Sequence, residues 1–86
     1  MKSITLEGEV IKELISKGSK SEHEAVLLVV DEDTRYKLGR RGGHPFQDDE
    51  LDKLVGKYVS AKGVIYRGNS FIIESYQDIQ EKRRDQ

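Results

Sequence analysis

The chain contains no cysteine among its 86 residues. That excludes a disulfide framework, a thiolate metal site and a cysteine nucleophile, and it suits a reduced compartment, so a cytoplasmic location is expected. A long apolar run is also missing at the start. Met1-Lys2-Ser3-Ile4-Thr5-Leu6-Glu7 carries a charge every few positions, which predicts neither a signal peptide nor a membrane span. Net charge of one sign is lacking too: 15 Lys and Arg stand against 16 Asp and Glu, for a formal charge of -1. There is therefore no bulk basic field of the kind that marks many nucleic-acid binders, and any attraction for phosphates has to be local. Hydrophobic residues make up only 35% of the chain, but they fall in patterned runs, which predicts a folded domain rather than disorder. There are no internal repeats or low-complexity linkers, and the length fits one domain with one modest core.

What is present reads mostly as strands. Ile4, Leu6, Gly8 and Val10 alternate with Thr5, Glu7 and Glu9, the period of a strand with one buried face, and Ile11, Leu14 and Ile15 prolong its apolar content. Gly8 falls on the inner face, where a missing side chain allows a sharp bend. Ser16 to Glu24 is a polar loop. Ala25 to Val30 is an unbroken apolar run that predicts a second strand with two apolar faces. A turn at Asp31 to Thr34 leads to a third strand, with Tyr36 and Leu38 on the inner side and Arg35 and Lys37 on the other. After the glycine-rich Gly39 to Phe46, the segment Asp48 to Gly56 predicts a helix of about two turns: acidic residues open it, Gly56 suits its end, and Leu51, Leu54 and Val55 form an apolar stripe able to plug a barrel. Tyr58 to Tyr66 is a fourth strand with Val59, Ala61, Gly63 and Ile65 inside, and Arg67-Gly68-Asn69 closes a hairpin onto a fifth strand, Ser70 to Tyr76. Phe71 and Ile73 point inward. The expected domain spans residues 3–79, and residues 80–86 are expected to be a flexible tail.

This order of three strands, a helix and two strands, with Gly8, Gly63 and the segment Leu54-Val55-Gly56-Lys57-Tyr58-Val59-Ser60-Ala61-Lys62-Gly63, resembles the OB-fold family, and in particular a small stand-alone bacterial OB domain. The resemblance covers Ser3 to Ile79. It implies an all-β fold: a five-stranded Greek-key OB-type barrel with one short helix between strands 3 and 4. It is silent on activity, because the fold hosts nucleic-acid, saccharide, protein and structural roles. The chain departs from nucleic-acid OB domains, which usually display stacking aromatics on the outer face of the second and third strands.

On the OB plan, the loop after strand one, the loop before the helix and the last hairpin flank one surface. Lys17, Lys20, Arg40, Arg41 and Arg67 would then gather around Arg35 and Lys37 as a basic rim, with amides of Gly18, Gly42 and Gly43 nearby. The plain alternative is solvated charge on surface loops. The glycine-rich stretch Lys17 to Ser21 lacks the first glycine and the following helix of a phosphate loop. His23 and His44, with Glu22, Glu24, Asp48 and Asp49, show no paired ligand spacing, so no metal and no cofactor is expected. No serine sits in a nucleophile elbow, and an enzyme is not expected. Two roles follow. One is a non-enzymatic module for single-stranded nucleic acid or another anionic ligand. The other is a protein-interaction or homodimer domain using the outer apolar residues, among them Tyr58, Val64, Tyr66 and Ile72. No membrane partner is expected.

Overall fold

The computed structural model describes residues 2–15, 18, 23–42 and 49–82. Among these residues are six strands, β1 (Ile4–Ile15), β2 (His23–Asp31), β3 (Thr34–Arg40), β4 (Tyr58–Tyr66), β5 (Ser70–Ile73) and β6 (Ile79–Lys82), with a helical turn α1 (Asp49–Asp52) and a 3-10 turn at Tyr76–Asp78. The alternation that starts at Ile4 runs through Ile15, and this length gives β1 two partners. Ile4 to Glu9 pairs antiparallel with β4, and Glu9 to Ile15 pairs antiparallel with β2. β3 pairs antiparallel with β2 and parallel with β5, and β5 returns antiparallel to β4. The ring β1-β2-β3-β5-β4-β1 is therefore closed: a small mixed barrel of five strands, consistent with an OB-like fold. Closure gives every strand of the ring a partner on both sides over part of its length.

Two of the glycines make this closure possible. A Cβ on Gly8 would collide with the Val29 carbonyl, and one on Gly63 with the Ile72 carbonyl. Both are buried where one strand crosses close over the backbone of another. Inside, Val10, Leu28, Leu38, Leu51, Val59, Ala61, Phe71 and Ile73 form one core, with Tyr36, Leu54, Ile65 and Ile79 packed against it. Leu51 is 1% exposed, so α1 does plug the barrel.

Five details differ from the sequence reading. β2 already begins at His23, inside the expected polar loop, and β3 runs on through Gly39 and Arg40, inside the expected glycine-rich connection, because both residues pair with β5. The helix is one turn, not two. After Asp52 the chain tightens, Leu54 N donating to Leu51 O and Val55 N to Asp52 O, and then leaves the helical path because β1 supplies better partners: Gly56 N donates to Val10 O and Val10 N to Lys57 O. Gly56, at φ 89°, makes the exit; Asp48 lies outside the described residues. β5 ends at Ile73 rather than Tyr76, because Ser75 caps the 3-10 turn: its Oγ accepts from Gln77 N while the Asp78 carboxylate accepts from Ser75 N. Finally, Gln80 to Lys82 belong to β6, which pairs with Tyr58 to Ala61 of β4, where a tail was expected; residues 83–86 lie outside the described residues.

Candidate functional site

Strand periodicity fixes which β3 side chains face solvent. Tyr36 and Leu38 turn to the core, so Arg35, Lys37 and Gly39 face out. The pairing registers then give each of these an outer-face neighbour. Lys37 lies beside Leu27 of β2 on one flank and Ser70 of β5 on the other, and Ser70 lies beside Tyr66 of β4. Gly39 lies beside Ile72, and Ile72 beside Val64. With no side chain at Gly39, the Ile72 Cδ1 leans to within 3.3 Å of where a Cβ would stand.

Each basic residue of the expected rim has a distinct setting. Arg35 Nη1 donates to Glu13 Oε2 of β1 at 3.0 Å. Glu13 is paired with Ala25 and Arg35 with Val29, so this bridge crosses β2 over Leu27, midway between them. Leu27 lies outside the core cluster, in the row that this bridge spans, and is only 5% exposed. Lys37 is exposed and has no ion-pair partner among the described residues, and its backbone N–H donates to Asn69 O of the β4–β5 hairpin at 2.9 Å. That bond ties the hairpin tip to the lysine. Arg67, in the tip, sits at φ 56°, a left-handed conformation uncommon for a residue with a side chain, and its guanidinium lies 5.3 Å from the centroid of the Tyr66 ring. Tyr66 itself is 46% exposed.

At the other end of β3 the two consecutive arginines diverge. Arg41 keeps the outward parity of Lys37; its N–H extends the ladder to Ile73 O, and its Nη1 donates to Glu74 Oε1 at 3.0 Å. Arg40 follows Leu38 instead. Its guanidinium lies 4.7 Å from the Tyr76 ring centroid, its Nη1 donates to Arg41 O, and its Nε is buried without a partner among the described residues. The structure thus aligns Arg35, Lys37 and Arg41 along one outer column, sets Arg67 over Tyr66 two strands away in the row of Lys37, and sets Arg40 apart. Lys17 and Lys20 lie outside the described residues, as do His44, Glu22 and Asp48. No group of three or more metal-ligating side chains occurs among the described residues.

Sequence reasoning placed Tyr66 on the outward parity of its strand but not in this site. The signal that joins it to Lys37 is the parallel pairing of β3 with β5, a contact between segments far apart in the chain. Together the surface offers three exposed cations in line, one aromatic face already carrying a guanidinium, and an apolar step at Val64 and Ile72. Such a set can hold an anion that also has a planar or apolar part, the cations through charge-assisted hydrogen bonds and the ring by stacking. Among the described residues no helix is long and apolar enough to cross a membrane. Comparison of the chain with protein-family models, with curated proteins and with solved structures gave no match.

Proposed function

We propose that this barrel is an OB-fold module that binds single-stranded nucleic acid on the outer face of β3, β5 and β4, without catalysis. One observation carries the reading: the row Lys37, Ser70, Tyr66 sets a lysine with no ion-pair partner among the described residues and a half-exposed tyrosine on the same face, with Arg67 over the ring. Phosphates need cations and bases need flat partners, and their combination is what sequence-tolerant single-strand binding uses. The stacking residue comes from the end of β4 rather than from the second or third strand, where it was missed.

The test is fluorescence anisotropy with labelled DNA and RNA oligomers at low salt. Binding should weaken as salt rises, by about 0.7 log units per log unit of salt for every phosphate neutralised. Lys37→Ala and Tyr66→Ala should each weaken it severalfold, whereas Lys82→Ala on β6 should not. Absence of binding at low salt would overturn the proposal. The protein-contact reading retains one supporting observation, the adjoining Val64, Ile72 and Tyr66, but the strand-two face offers less than its sequence suggests because Leu27 is covered. Self-association that persists at high salt and is abolished by Tyr66→Ala would favour it instead.

A further inference from the structure

Resting on that reading, we infer that the bound strand runs along β3, with phosphates on Arg35, Lys37 and Arg41 and bases over Gly39, Ile72, Val64 and Tyr66. The three cations share one face of one continuous ladder, since Arg41 N still bonds Ile73 O beyond the last residue of β3. Alternate residues of a strand advance by about 7 Å, twice the ~3.4 Å per phosphate of a stacked strand, so Arg35 and Lys37 stand about two phosphates apart and Lys37 and Arg41 about four. Gly39 occupies the one outward position between Lys37 and Arg41 and adds no side chain of its own, so the Ile72 side chain leans over it and forms a low apolar step between the two cations.

A path across the sheet meets the wrong chemistry. From β3 toward β2 and β1 it would pass over the bridge of Arg35 and Glu13 and then onto Glu9, which is paired with Val29 in the same row as Arg35. A phosphate chain on that path would lie over carboxylates rather than over a continuing row of cations. On the opposite flank Ser70, Ile72, Tyr66 and Val64 carry no charge, so bases can rest there while the sugar-phosphate chain stays on β3. Both ends of the column are held by carboxylates of the chain itself, Glu13 on Arg35 and Glu74 on Arg41, each at 3.0 Å. These groups occupy the positions phosphates would take, and binding must displace them.

The two carboxylates supply the test, because they sit at opposite ends of β3. Affinity for a fluorescein-labelled thymidine octamer is measured over a salt series for wild type, Glu13→Gln, Glu74→Gln, Lys37→Ala and Arg41→Ala, with urea denaturation confirming that each variant is folded. A strand lying along β3 predicts that both glutamine variants bind about twofold to fivefold more tightly at low salt, since each removes an exposed competitor. It also predicts that Arg41→Ala flattens the salt slope by about 0.7. If Lys37→Ala weakens binding while Arg41→Ala and Glu74→Gln change neither affinity nor slope, the path along β3 is wrong and the site itself stands. If the wild-type protein does not bind the octamer, or Lys37→Ala has no effect, the underlying proposal fails.

Discussion

The two flanks of β3 are built from the same kind of strand and carry opposite chemistry. Toward β2 and β1 lie Leu27 and Val29 and then Glu9 and Glu13, with an ion pair drawn across the aliphatic row. Toward β5 and β4 lie Ser70, Ile72, Val64 and Tyr66, none of them charged, with the tyrosine half exposed. A nearly neutral chain therefore presents a surface that is far from uniform. Net charge sums over the sequence, whereas a ligand meets charges sorted by strand, and here topology places the acidic strand on one side of the basic one and β5 with the uncharged Val64 to Tyr66 end of β4 on the other.

The largest test of this contrast removes the close approaches that hold each flank to the barrel. Gly63→Ala would drive a methyl into the Ile72 carbonyl, and Gly8→Ala one into the Val29 carbonyl, in both cases backbone that cannot swing aside. Each should cost about 2–3 kcal/mol in urea denaturation, in the range of overpacked cores. If the two flanks are independent supports of the site, Gly63→Ala should also weaken oligonucleotide binding more than Gly8→Ala does at equal fraction folded.

A smaller effect separates stability from binding on the open flank. Arg67 adopts the left-handed conformation that glycine takes without penalty, so Arg67→Gly should raise stability by about 0.5–1 kcal/mol while loosening binding through loss of the cation over Tyr66. A stability gain with unchanged affinity would show that this arginine has no part in the site. The smallest effect concerns the closed flank. Both partners of the bridge between Arg35 and Glu13 are about half exposed, and a double-mutant cycle should give at most about 0.5 kcal/mol of coupling. A clearly larger value would mean that the pair is held tightly over Leu27 and shields that flank more firmly than a solvated bridge does.

Much of this fold is written in local pattern. Period-two alternation gives β1, β3 and β4, and glycines at inner positions Gly8 and Gly63 mark where the strands crowd. The ring closure is not local: β1 meets β4 and β3 meets β5 across long stretches of chain, and only the resemblance to OB barrels supplied that expectation. β6 escaped notice because Ile79 is its one apolar residue, and its pairing is decided by the half of β4 that β5 leaves free. The apolar stripe of Leu51, Leu54 and Val55 suits a second helical turn, while the competing bonds to Val10 come from another strand. For the site, parity alone separates Arg40 from Arg41, since neighbours on an extended chain face opposite ways. That Tyr66 completes the surface needs the parallel pairing, which no short window of residues contains.

β6 has a consequence for the behaviour of the chain outside its own fold. β5 covers only Gly63 to Tyr66, so without the short strand that follows the capped turn, Tyr58 to Ala61 would present a row of open N–H and C=O groups. Such a row is a template onto which a strand from another molecule can add. Ile79 anchors the covering strand against the core, while Gln80, Glu81 and Lys82 give it a polar outer margin. Four residues at the end of the domain thus act as a guard against self-templated aggregation.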